Sequence, residues 1–333
     1  MNKTKLVTAL FSNHEGFPIF GHDRHRVERY LHSLASIART GEKIVCYLQK
    51  KYFKEYRNFW NIYGREKGYY NIDNFTNIEF KFITINQFKH FKRMSELKKK
   101  YSEIIEYKMF HEIDWMKLQL LENEIDDKHD YFYWIDCGLS HAGLFPCSAS
   151  EKPNQKGLGD FKHYSWEWPM YDFGRIFNSN LFSKINNFVG KKLLGLSTTL
   201  VYWHFEPLEE LLVKLKYYSD TVTKDFYKKF HKKHNVGGII GGHKNHINHL
   251  TAEFNTLGKL CLDNEIIPNH EIIMAAIKWH NPELFEEYLF DTWYHKDTWR
   301  TWSSDPEEQN YIKKDTENKI QFYGFFKQIG LVN

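Results

Sequence analysis

The stretch Tyr131-Phe132-Tyr133-Trp134-Ile135-Asp136-Cys137-Gly138-Leu139-Ser140-His141 decides how the rest of the chain is read. Five apolar residues without a polar break predict a strand buried on both faces, and such a strand belongs in the middle of a sheet. The run ends in an acid followed by Cys137 and Gly138, which puts a carboxylate at the strand's carboxyl edge, where α/β sheets bind their ligands. A carboxylate there suits Mg2+ or Mn2+ held against a diphosphate, because hard cations take oxygen ligands. The plainer reading of Asp136 is a cap on the turn after the strand.

Working outward, Lys5 to Phe11 reads as a first strand, followed by the polar loop Ser12-Asn13-His14-Glu15-Gly16. Val27, Tyr30, Leu31, Leu34 and Ile37 recur at helical spacing, and Gly41 stands where a helix-ending glycine is expected. Ile44 to Leu48 follows as a second strand and Ile78 to Ile85 as a third. Residues 89 to 107 read as a charged surface helix, and Ile113 to Ile125, with Met116, Leu120 and Leu121 on one face, as the helix leading into the central strand. Short strand–helix–strand connections predict an α/β fold with a single, mostly parallel central sheet flanked by helices. Residues 146 to 175, rich in Pro and Gly, read as a long loop. A short strand is expected from Val236 to Ile240, ending at Gly241-Gly242, and a helix from His270 after Pro268. The chain shows no internal repeat, so one domain over residues 1–300 with an extension over 301–333 packed on it is the economical reading.

Composition narrows the classes. The chain has 333 residues, 42% hydrophobic and 26% charged, which are globular values and exclude wholesale disorder. No apolar run reaches the ~18 residues of a membrane span. The start, Met1-Asn2-Lys3-Thr4-Lys5 before Leu6 to Phe11, does not read as a signal peptide. Four scattered cysteines without CxxC spacing suggest neither a zinc ribbon nor a disulfide framework, and a reducing cytoplasm is the simplest compartment. A net charge of +4 is too mild to call for nucleic acid as an obligate partner. One basic run, Lys89-His90-Phe91-Lys92-Arg93 leading to Lys98-Lys99-Lys100, keeps a different class open: a non-catalytic protein that binds single-stranded nucleic acid.

Two further stretches carry candidate chemistry. Asn235-Val236-Gly237-Gly238-Ile239-Ile240-Gly241-Gly242-His243 has two glycine pairs that let backbone approach a sugar or phosphate closely. It is neither a P-loop nor a dinucleotide fingerprint, and a glycine-rich turn is the competing reading. In Ile267-Pro268-Asn269-His270-Glu271-Ile272, an Asn or His caps a helix with Glu271 in its first turn, a place the helix dipole favours in any case. His243, His246 and His249 share a three-residue spacing that matches no metal signature, and they read as surface or packing residues.

Taken together, Leu6 to Phe11, Trp134 to Leu139, Gly238 to Gly242 and Glu271 resemble the HtrL/YibB-like family of bacterial glycosyltransferases over roughly residues 5 to 295. The resemblance implies a GT-A type nucleotide-sugar-binding fold and metal-assisted transfer of a sugar, hexosyltransferase-like. The donor implied is a nucleoside-diphosphate sugar such as a UDP-sugar, and the acceptor a hydroxyl of a glycan or glycolipid. It implies polysaccharide biosynthesis in the cytoplasm or at the inner face of the membrane, with peripheral association only. By position, Thr8, Ala9, Leu10 and Phe11 would line the nucleobase and ribose pocket, with Trp134 and Gly138 at the central strand's end. Arg29 and Lys117 would meet the donor's diphosphate, the plainer reading of each being a charge on a helix surface; Asp136 would hold Mn2+ or Mg2+, and Gly241, Gly242 and His243 would frame the transferred sugar. Glu271 would contact the sugar or take the acceptor's proton. Gly138 stands where the second Asp of an Asp-x-Asp pair is usual; the resemblance implies a C-terminal His as the second metal ligand, here His295 in Trp293-Tyr294-His295-Lys296. A relative that binds nucleotide-sugar without turnover is the alternative within the same fold.

Overall fold

The computed structural model describes residues 3–11, 34–35, 37–50, 72–103, 111–137, 178–198, 234–235, 237–290 and 323–331. The chain divides into two compact units, the first formed by Met1–Thr8, Ile83–Ile135 and Val189–Leu289, the second by Ala9–Phe82, Asp136–Phe188 and Phe290–Asn333. The strand β1 (Thr4–Leu10) begins in the first and ends in the second.

In the first unit β1 is followed in space by β4 (Tyr131–Ile135), β7 (Ile239–His243), β5 (Leu193–Thr198) and β6 (His234–Asn235), with β8 (Phe285–Phe290) paired to β5. β4 is buried along its whole length and has a partner on each side, the interior position its unbroken apolar sequence predicts. It runs parallel to β1, with Leu6 opposite Tyr133 and Val7 opposite Trp134. β7 runs antiparallel to both β4 and β5, so β5 has the same sense as β4.

Here the structure departs from the expected strand over Val236 to Ile240: β7 starts at Ile239 and takes both Gly241 and Gly242 into the ladder. The physical reason is backbone proximity. Both glycines have positive φ, and a methyl group on Gly241 would lie 2.1 Å from the Phe132 carbonyl oxygen, one on Gly242 2.4 Å from that of Lys192. β4 and β5 close on β7 from either side only because these two residues carry no side chain.

Four helices of this unit are α1 (Phe91–Lys100), α2 (His111–Glu122), α4 (Lys244–Asp263) and α5 (His270–His280). α4 buries Ile247, Leu250, Phe254, Leu257 and Cys261, a spacing of three and four that presents one apolar stripe. α2 packs on β4, α4 on β4 and β7, and α5 on β6, while α2, α4 and α5 also meet one another. Trp115 of α2 is buried between them, edge-on to Phe254 and donating its indole N–H to the Pro268 carbonyl at 2.9 Å.

In the second unit the strand order is β3 (Ile78–Phe82), β2 (Lys43–Leu48) and the end of β1, with β2 and β3 parallel and Cys46 opposite Phe80. Of the expected first helix, Leu34, Ala35, Ile37 and Ala38 are described, helical and buried, and Gly41 beyond it has φ 75°. The helices α3 (Leu181–Val189) and α6 (Tyr323–Gln328) also belong to this unit, where Phe188 stacks edge-on to Phe325. The expected fold class is the one observed: an α/β, Rossmann-like sheet with flanking helices, in which the order 3-2-1-4 heads the sheet.

Candidate functional site

In the first unit β1 and β4 are parallel neighbours, and α/β sheets receive ligands beyond the carboxyl ends of such strands. β1 brings Thr8 to this end, buried and with no hydrogen-bond partner for its hydroxyl among the described residues. Ala9 is half-buried and Leu10 and Phe11 are buried. Asp136 is the first residue past β4 and is half-buried, with the buried Cys137 after it. Gly138, Arg29 and His295 lie outside the described residues.

Within the first unit, residues from three elements gather around the carboxyl end of β4. Ile135 sits opposite Ile239, so the Gly237–Gly238 turn arrives at the same level just before β7 begins. α5 starts beside it: Asn269 caps the helix by accepting the Glu271 N–H at 2.9 Å. That cap holds Glu271 in the first turn, where its Oε1 accepts the Gly237 N–H at 2.6 Å. The buried Lys117 of α2 donates to the Gly237 carbonyl at 3.4 Å, lies 3.5 Å from Asp114 Oδ1, and stands over the Trp134 ring at 5.9 Å from its centroid. His270 is buried with Nδ1 3.9 Å from Asp114 Oδ2, and its ring occupies the space that a side chain at position 237 would need. One backbone residue is thus held through its N–H by a carboxylate and through its carbonyl by an ammonium.

The structure brings Glu271, Lys117 and Trp134 together at one end of β4 and takes His243 and Gly242 to the other. Gly242 pairs with Phe132 and His243 with Tyr131, at the amino end of the strand, and Gly241 is spent in the middle of the sheet. This corrects the expectation that the three frame a sugar near Asp136: His243 pairs four residues short of Ile135, roughly 13 Å along an extended strand. Instead His243 is the N-cap of α4, accepting the Asn245 N–H through Nδ1, with its ring edge-on to Tyr131. Burial holds its imidazole below the ordinary histidine value, helped by His246, Lys191 and Lys244 and opposed by Asp130, which suits an accepting ring nitrogen.

No group of three metal-ligating side chains gathers among the described residues. Of the carboxylates near the β4 end, Glu271 accepts the Gly237 N–H and Asp114 lies beside Lys117 and His270. Three of the six Lys and Arg in the basic run that kept nucleic acid open form ion pairs within the chain, among the described residues. Lys98 pairs with Glu112, Lys100 reaches both oxygens of Glu265 at 2.7 Å, and Arg93 lies 3.9 Å from the same carboxylate. Sequence reasoning missed Asp114 and Trp115; the signal for the first is its spacing of three from Lys117 on one helix.

No family model matches the chain, and no curated protein matches it in sequence. Among solved structures it is similar to the apo form of mouse xyloside xylosyltransferase 1, with a TM-score of 0.39 and 10% identity over 95% of this chain and 94% of that one. It is also similar to 4-diphosphocytidyl-2C-methyl-D-erythritol synthase from Anaerococcus prevotii, with a TM-score of 0.34 and 10% identity over 94% of this chain and 97% of that one. Overlaps this loose leave the site to be read from its own residues. No helix among the described residues is long and apolar enough to cross a membrane.

Proposed function

We propose that the chain is a GT-A type glycosyltransferase, which moves a sugar from a nucleoside-diphosphate donor such as a UDP-sugar to a hydroxyl of a glycan or glycolipid. The observation that carries this reading is Asp136, the first residue after the buried strand β4, which runs parallel beside β1. In this reading the stretch Thr8 to Phe11 meets the nucleobase and ribose, and the unpartnered Thr8 hydroxyl is a group that a polar ligand would satisfy. Asp136 accepts hydroxyl protons of the donor in hydrogen bonds. Glu271, fixed by Gly237, serves the sugar or takes the acceptor's proton.

The test is a thermal-shift screen of nucleoside diphosphates, each with and without Mn2+. A specific nucleotide at a hundredfold excess over its Kd is expected to stabilise by roughly 2.7 kcal/mol. A further rise that requires Mn2+ would give Asp136 the cation-ligand role. Absence of any nucleotide effect, together with salt-sensitive binding of single-stranded DNA, would select the binding-protein alternative.

A further inference from the structure

We infer that Lys117 is a positioning residue for Glu271, acting through Gly237, and not a contact to the donor's diphosphate. The inference rests on the nucleotide-sugar reading above only for what Glu271 is positioned to do. Its physical content is a chain of contacts. Lys117 Nζ is buried on α2, with Asp114 at 3.5 Å and the Trp134 ring at 5.9 Å, and it donates to the Gly237 carbonyl at 3.4 Å. The Gly237 N–H in turn donates to Glu271 Oε1 at 2.6 Å.

The third restraint is steric. A methyl group on Gly237 would stand 2.1 Å from His270 Nε2 and 3.0 Å from Glu271 Oε1, so the turn seats its bare Cα against both residues. Gly237 is therefore fixed on three sides: ammonium at its carbonyl, carboxylate at its N–H, imidazole at its Cα. A carboxylate on the first turn of a helix has several rotamers open to it; this one is tied to a turn that is itself tied to a neighbouring helix. An ammonium aimed into the protein at a backbone carbonyl is poorly placed for a phosphate, and its reach is used on the turn that Glu271 needs. Trp115, one residue after Asp114, donates to the Pro268 carbonyl and pins the segment entering α5, so the same helix fixes Glu271 from both sides.

Hydrogen exchange of the peptide covering Gly237 and Gly238 tests this, together with UDP-induced thermal stabilisation. Lys117→Met is expected to speed exchange of that peptide roughly tenfold, the equivalent of one lost hydrogen bond, with Lys117→Arg restoring protection. Glu271→Leu is expected to do the same and Glu271→Gln, which keeps an acceptor oxygen, to stay protected; this pair serves where Lys117→Met fails to fold. The stabilisation by UDP is expected to survive Lys117→Met. Unchanged exchange in Lys117→Met with loss of the UDP effect would overturn the inference and return Lys117 to the diphosphate. If UDP and other nucleoside diphosphates leave the wild type unaffected, the nucleotide-sugar reading fails while the exchange data still judge the clamp.

Discussion

A methyl group on Gly241 would stand 2.1 Å from the carbonyl oxygen of Phe132, so the ladder between β4 and β7 closes only around a residue without a side chain. Gly241→Ala is expected to cost about 3 kcal/mol, because the obstacle is backbone in the middle of a sheet and has no rotamer to turn away. Urea denaturation measures it, and a loss below about 1 kcal/mol would show that the strands can part there without penalty.

Lys5, the second residue of β1, holds its ammonium 2.9 Å from Glu124 and 3.1 Å from Asp126, and the Glu124 side chain is only 2% exposed. Lys5→Met leaves that carboxylate buried without its cation, so a loss of about 3–5 kcal/mol is expected, and Lys5→Met with Glu124→Leu should recover most of it. Burial alone would lower the Lys5 pKa, but the two acids outweigh it and the value is raised. The pair's contribution is therefore present through neutral pH and lost only as pH climbs past the ordinary lysine range. Equal losses in the single and double variants would contradict the account.

Burial pushes the Glu42 carboxyl up to about 7, from an ordinary value of 4.5. Between those two values the folded chain holds a proton that the unfolded chain has released, so stability is expected to fall as pH rises across this window. Glu42→Gln removes the titrating group. Its melting temperature should exceed that of the wild type at pH 8 and match it more closely at pH 5, and parallel curves for the two proteins would refute the assignment.

How far the sequence carries depends on the distance over which each feature is encoded. β4 was legible because five consecutive apolar residues say both strand and burial, and the start of α5 because Pro268-Asn269 is a local stop-and-cap signal. The role of Gly241-Gly242 was not, since a glycine pair marks any close backbone approach, and whether the partner is a ligand or a neighbouring strand depends on pairing with Phe132 and Leu193 far away in the chain. β5 and β8 escaped for a similar reason: six residues containing Gly195 become a strand by pairing with β7, β6 and β8, and the acidic Glu286-Glu287 step by pairing with β5, all far away in the chain. At the site, Asp136 and Glu271 could be nominated from local pattern. The clamp through Gly237 could not, because it joins residues 120 and 34 positions apart.

Asp136 in a site that handles a nucleotide-sugar donor makes hydrolysis of a UDP-sugar, by the wild type and by Asp136→Asn, the decisive measurement. With a donor chosen from the thermal-shift screen, the substitution is expected to lower turnover on the order of 10²-fold while the melting temperature stays near that of the wild type. Wild-type turnover together with a lowered melting temperature would contradict the claim and leave Asp136 as a residue that only caps the turn after β4.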